Sequence, residues 1–319
     1  MSTITPLAFA KLHGAGNDFA VVDGRPLVGV GVDWAALARQ MCDRHFGVGA
    51  DGLLVAVPAQ GRQARVGMRM FNPDGSESEM CGNGLRCFVR WLAERGELAP
   101  GAVPVETGAG VLTAFLDGRL EVTVDMGAPR LAPAEIPLSP EAAAGQPPAG
   151  PVLHLPLRVR GTGSDVGHDS SLLDATCVSM GNPHAVIFVS DVEAVPLDAI
   201  GPAIERHPSF PARTNVELCQ VLARDRLRVR VWERGAGATL ACGTGACAAA
   251  VAARLQGLVD ASVTVQLPGG SLAVEWPGPA LPSGPAPEAL SRLPAVLLRG
   301  PAEYVFDGQW RAPLPLLSP

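Results

Sequence analysis

Apolar and polar residues along this chain alternate in short runs, and only four stretches show helical spacing. Period-two alternation predicts strands over residues 7–12, 19–23, 53–57, 66–71, 103–106, 111–115 and 120–124. A second series follows at 152–159, 176–179, 185–189, 216–223, 227–233, 262–267 and 271–276, and a closing pair at 296–299 and 303–306. Helical spacing predicts helices from Trp34 to about His45, behind an Asp33 cap, and over 85–95, 197–206 and 246–256. Gly96 and Gly257 follow two of these, where glycine supplies the left-handed residue that stops a helix. Residues 131–150 are rich in Pro and Ala and read as a connector, with a boundary between halves. Residues 161–171 and 277–294 read as loop inserts. Many short strands with one long helix in each series predict an α+β protein, each sheet wrapped around its helix.

The pattern is written twice. Cys81-Gly82-Asn83-Gly84 opens one predicted helix and Cys242-Gly243-Thr244-Gly245 opens the other. Arg69-Met70-Phe71-Asn72 before the first is echoed by Arg230-Val231-Trp232-Glu233 before the second. Gly16-Asn17-Asp18-Phe19 and Gly181-Asn182-Pro183-His184 each form a turn ahead of an apolar strand. Similarity across several elements at nearly constant spacing predicts two pseudo-symmetric halves. Residues 47–52 match G-x-G-x-x-G but follow a helix and precede a strand, the reverse of a dinucleotide-binding turn, so they read as a glycine-rich turn.

Composition narrows the function. A net charge of −6 without a basic run argues against nucleic-acid binding. No apolar run reaches membrane-spanning length, and residues 1–12 lack a secretory pattern. Seven cysteines with no disulfide-scaffold spacing suggest a reducing, cytoplasmic setting. No lysine stands in an evident pyridoxal phosphate context, so no cofactor is expected, and the Cys-x5-Cys and Cys-x4-Cys spacings are poor matches to a zinc site.

A cysteine at a helix start sees converging N–H groups and a favourable dipole, which ease loss of its proton. Two such cysteines on two halves suit inversion of a carbon stereocentre, where a thiolate removes a proton from one face and a thiol supplies one to the other. The helix starts at Gly82-Asn83 and Gly243-Thr244 offer N–H groups to a developing negative charge. Asn17, Asn72, Asn182 and Asn215 have amides suited to an amino-acid substrate. Glu233 suits an ammonium, Arg234 a carboxylate, and His184 assistance to a thiol.

These segments, with Phe71 to Ser76, Arg213-Thr214-Asn215, Glu233 to Gly237 and Leu267 to Ser271, resemble the diaminopimelate epimerase family over most of the chain. The resemblance implies interconversion of LL- and meso-diaminopimelate, in lysine and peptidoglycan synthesis. It implies Cys81 and Cys242 as acid/base thiols, and substrate contacts from Asn17, Asn72, Asn182, Asn215, Glu233, Arg234 and the helix starts at Gly82-Asn83 and Gly243-Thr244. It also implies a β-barrel around a helix in each half, a first domain of residues 1–128 plus 297–319, a second of 129–296, and often a homodimer. Two positions depart from the family pattern: Gly52 stands where some relatives carry a Gln ligand, and Ala238 where Glu is frequent. The rival reading is an epimerase of the proline and hydroxyproline racemase type, which binds a substrate with one amino-acid head.

Overall fold

The structure, a computed structural model, describes residues 6–159, 171–280 and 292–317. The chain divides into two compact units, Met1–Asp125 with Arg299–Pro319, and Met126–Leu298. Backbone bonds Met126 N–H to Val296 O and Val296 N–H to Gly127 O, both 2.9 Å, join the start of the second unit to its end.

In the first unit, β1 (Leu7–Gly14) and β2 (Asn17–Asp23) form an antiparallel hairpin. Its turn passes through Ala15 and Gly16 at φ 52° and 83°, so the second glycine relieves a left-handed stretch. Helix α1 (Trp34–Cys42) then crosses over to β3 (Gly52–Pro58), parallel to β2. The helix ends at Cys42, three residues before the predicted His45, because Asp43 Oδ1 accepts the N–H groups of His45 and Phe46 and turns the chain away. β4 (Val66–Phe71) runs antiparallel to β3 and turns into the short β5 (Glu77–Ser78). Helix α2 (Gly82–Glu94) follows, then β6 (Gly101–Thr107), parallel to β4, and the antiparallel β7 (Gly110–Leu116) and β8 (Val122–Asp125).

The second unit begins with α3 (Pro140–Ala144), a short helix capped by Ser139 inside the predicted connector. β9 (Val152–Val159), β10 (Ser171–Ser179) and β11 (Pro183–Phe188) are antiparallel. Helix α4 (Leu197–Glu205) crosses to β12 (Asn215–Ala223), parallel to β11. β13 (Arg226–Glu233) and β14 (Gly237–Thr239) fold back, α5 (Gly243–Leu255) follows, and β15 (Ser262–Leu267) pairs parallel with β13 and antiparallel with β16 (Gly270–Glu275). After β17 (Leu297–Gly300), β18 (Glu303–Trp310) pairs with β1 in the first unit. The predicted inserts fall largely outside the described residues.

The repeat therefore extends to topology: hairpin, crossover helix, parallel strand, hairpin, central helix, parallel strand and hairpin occur in the same order in both units. Register fixes the equivalences. Phe19 pairs with Gly52 as His184 pairs with Asn215, Leu53 with Phe71 as Val216 with Trp232, and Met70 with Ser78 as Val231 with Thr239. Strands between two helices are buried on both faces and so read as nearly continuous apolar runs. One face of the first sheet packs on α1 through Ala20, Val22, Leu53 and Val55. The other face receives α2. In the second unit α4 packs on Ile187, Val216 and Leu218, and α5 fills the opposite side. Helix α5 is buried almost all round, with a run of alanines that lets surrounding strands approach closely. Among the described residues no helix is long and apolar enough to cross a membrane.

Candidate active site

Both cysteines are N-caps of the central helices. Cys81 (φ −147°, ψ 116°) and Cys242 (φ −120°, ψ 114°) have the extended backbone of that position. Each sulfur accepts the N–H three residues on, Gly84 or Gly245, at 3.4 Å. A sulfur in this role takes the place of the usual Ser or Asp oxygen, and the helix dipole favours its charged form.

The surroundings of Cys81 run toward cations. Its Sγ is 3.9 Å from Asn17 Oδ1, which also accepts Asn83 Nδ2 at 3.2 Å. Asn83 Oδ1 accepts Nη2 of the fully buried Arg86 at 2.7 Å. Asn17 Nδ2 donates to Asp51 at 2.9 Å, and Asp51 belongs to a cluster with Arg44, Asp18 and Lys11. Burial opposes ionisation of Asp18, but hydrogen bonds from Arg44 and Lys11 prevail and hold it at about 2. Asn72 lies apart from the sulfur's bonds, its Nδ2 donating at 3.0 Å to Ser76 Oγ within its own turn.

The surroundings of Cys242 run toward carboxylates. Its Sγ is 3.4 Å from Thr244 Oγ1, which accepts Asn182 Nδ2 at 3.3 Å. Asn182 Oδ1 faces His184 Nε2 at 3.0 Å, and His184 Nδ1 faces Glu217 Oε1 at 2.7 Å. His184 and Glu217 are fully buried. Burial, then Glu233 and Glu217, push the Cys242 thiol well above its ordinary value, against the pull of the Thr244 hydroxyl and the Gly245 N–H. Burial likewise raises Glu217, with His184 opposing. Glu233 Oε1 accepts Thr239 Oγ1 at 2.6 Å. Asn215 is committed to the backbone: Nδ2 donates to Pro183 O, and Oδ1 accepts the Arg234 N–H, both at 2.9 Å. The Arg234 side chain is on the exposed surface, with Nη1 donating to Ala212 O at 3.1 Å.

The family profile for diaminopimelate epimerase matches residues 9–132 and 176–281, more than half of the chain. Diaminopimelate epimerases of Pelotomaculum thermopropionicum and Moorella thermoacetica are 48% and 50% identical over 306 residues, covering 95% of this chain and 98% of theirs. This chain belongs to the diaminopimelate epimerase family. The fold is shared more widely. A phenazine biosynthesis protein of the PhzF family from Bacillus anthracis superposes with a TM-score of 0.65 at 16% identity, covering 96% of this chain and 99% of that one. A hydroxyproline epimerase from Agrobacterium vitis gives 0.62 at 17%, covering 98% and 95%.

The surroundings of Gly52, the position where the resemblance implied a Gln ligand in some relatives, are tight. A Cβ there would lie 3.2 Å from Phe71 O and 3.3 Å from the Met70 and Phe19 side chains, so a larger residue would need these neighbours to give by a few tenths of an ångström. Ala238 is the exposed middle residue of the short strand β14. Among the described residues no group of three His, Cys, Asp or Glu stands close enough to hold a metal ion. A cavity of about 420 Å³ lined by Phe9, Trp91, Arg95 and Tyr304 contains none of the candidate residues.

Sequence reasoning passed over Arg86, Asp51, Thr239 and Glu217. Glu217 carried a usable signal: a lone carboxylate two residues after Asn215, on the same face of an apolar strand, is a buried polar group that requires a partner. His184 was expected beside a thiol, yet its ring contacts Asn182 and Glu217, one asparagine and one threonine away from Cys242.

Proposed function

We propose that this chain interconverts LL- and meso-2,6-diaminopimelate without a cofactor, Cys81 and Cys242 alternating as thiolate base and thiol acid. The observation that carries the reading is the cysteine N-cap built twice, each sulfur on the N–H three residues on, in a member of this family. A proton removed by one thiolate and replaced by the other thiol leaves the stereocentre inverted and the two sulfurs exchanged in protonation. The first-turn N–H groups at Gly82-Asn83 and Gly243-Thr244 stabilise the negative charge that develops on the substrate carboxylate. Asn17, beside the Cys81 sulfur, and Asn182, one threonine away from the Cys242 sulfur, orient the amino-acid head. Asn72, Asn215, Glu233 and Arg234 serve the remaining polar groups, and His184 acts on Cys242 through its neighbours.

The test is incubation with LL-diaminopimelate in deuterated water. Deuterium at one α-carbon together with meso product is expected, and absence of both defeats the assignment. Proline under the same conditions separates the rival reading, since comparable exchange there would assign the chain to racemases of one-headed substrates. A cytoplasmic setting and a homodimer belong to the same reading, and sedimentation in solution checks the latter.

A further inference from the structure

Glu217 is a carboxylate with no obvious structural need. The equivalent position in the first unit is Leu54, and the equivalent of His184 is Phe19. There the central helix meets an apolar pair: a Cβ on Gly84 would be 3.2 Å from Leu54 Cδ2 and 3.6 Å from the Phe19 ring. A Cβ on Gly245 would be 2.8 Å from Glu217 Oε1 and 3.3 Å from Cys242 Sγ. The same scaffold therefore closes around its helix with Phe and Leu, and the polar pair is an addition specific to the Cys242 side.

The hydrogen bonds have a direction. Asn182 Nδ2 donates to Thr244 Oγ1, which leaves the Thr244 proton free to point at Cys242 Sγ. With Nδ2 so placed, Asn182 Oδ1 must accept, so His184 Nε2 carries the proton between them. The contact at His184 Nδ1 then also needs a proton, because Glu217 Oε1 is an acceptor when ionised. The pair therefore holds one proton more than a neutral imidazole beside a carboxylate. Glu217 Oε2 is buried without a hydrogen-bond partner, a position far less costly for a carbonyl oxygen than for a carboxylate.

We propose that Glu217 is a positioning residue which, sharing a proton with His184, sets a one-way chain of hydrogen bonds through Asn182 and Thr244 that ends as a donor on the Cys242 sulfur. The Thr244 proton and the Gly245 N–H favour the thiolate against the burial that raises it, and the shared proton lessens the opposing negative charge of Glu217. This rests on the reading of Cys242 as an acid/base group. The other titratable group acting on the sulfur is Glu233 on β13, while His184 on β11 reaches it only through Asn182 and Thr244.

The pH dependence of Cys242 alkylation by iodoacetamide, followed by peptide mass, tests the chain without any substrate. Failure to epimerise diaminopimelate would therefore sink the functional reading and leave this test standing. Glu217→Gln keeps a donor toward His184 Nδ1 and is expected to keep the midpoint of the wild type. Glu217→Leu, and the double change His184→Phe with Glu217→Leu that copies the packing of the first unit, are expected to raise it by about one pH unit or more. A midpoint lowered or unmoved in Glu217→Leu, or raised as much by Glu217→Gln, overturns the proposal. A lowered midpoint would make Glu217 a bare anion, an unmoved one would leave it without influence on the sulfur, and an equal rise in Glu217→Gln would mean that a donor toward His184 Nδ1 does not set the chain. Nitrogen-15 spectra of histidine-labelled, unsubstituted protein give a second arm that needs no variant: His184 Nε2 is expected to carry a proton, and an unprotonated Nε2 refutes the chain.

Discussion

The starts of α2 and α5 are the same backbone device in two electrostatic settings. Each places a sulfur as N-cap on the N–H three residues later, and each has an asparagine from the preceding hairpin within the network. Behind Asn83 stands a buried guanidinium, whereas behind Asn182 stands a buried imidazole and carboxylate. A duplicated fold thus supplies two equal positions, and substitutions away from the sulfurs make them unequal. A reversible exchange needs one sulfur as thiolate while the other is thiol, and unequal settings bias which of the two starts as the base.

The widest break in the comparison is removal of either sulfur. Cys81→Ala and Cys242→Ala are each expected to lower the epimerisation rate by about a thousandfold or more, within the range that general acid/base groups supply. Both variants are expected to keep the circular dichroism of the parent, since an N-cap loss costs only about 1 kcal/mol. Near-full turnover in either would end the two-thiol mechanism.

A sharper instrument is a single methyl group placed at equivalent points. Gly84→Ala brings a Cβ to 3.2 Å from the terminal methyl of the buried Leu54 side chain, which need give by only a few tenths of an ångström. Gly245→Ala brings it to 2.8 Å from Glu217 Oε1, a carboxyl held by His184. Gly245→Ala is therefore expected to destabilise by about 1–3 kcal/mol and to cut turnover at least tenfold, and Gly84→Ala to cost less on both measures. Urea denaturation and turnover measured side by side check the order. Equal effects would mean that the two helix starts tolerate crowding alike, and that the polar pair gives the second no special rigidity.

The architecture was legible because its signals are local and repeated. Alternation marked most strands, glycines at 96 and 257 marked both helix ends, and the doubled Cys-Gly-x-Gly marked both caps. Strands of two or three residues such as β5 and β14 are too short to show alternation, and α3 hid in a proline-rich connector. The site was legible at its sulfurs and adjacent asparagines. The partners that distinguish the two sulfurs lie on other strands: Glu217 reaches His184 across 33 residues, and Asp51 reaches Asn17 across 34. No spacing rule announces such a pair, since it is created by parallel pairing of β11 with β12 and of β2 with β3. Asn215 and Arg234 show the converse, side chains chosen for polar chemistry that spend hydrogen bonds on neighbouring backbone.

The smallest expected effect concerns the ion cluster that backs Asn17. Asp18 is held at about 2 by Arg44 and Lys11, below its ordinary 3.8. A carboxyl with a folded-state value below its unfolded one stabilises the protein when ionised. That contribution is complete above about pH 4 and disappears as pH falls toward 2, because the unfolded chain takes up the proton first. Asp18→Asn removes the ionised group while keeping most of its shape. The variant is expected to melt a few degrees lower than the parent at pH 7, with the gap narrowing as pH drops below about 4. The cluster is partly exposed, so salt should shrink the neutral-pH gap as well. Among the described residues the second unit has no such cation cluster around Asn182, so Glu217→Gln should show no such acid-side convergence. A gap for Asp18→Asn that stays constant from pH 7 to pH 2 would mean that its role is packing, and that the cation-rich side of the comparison owes nothing to that ion pair.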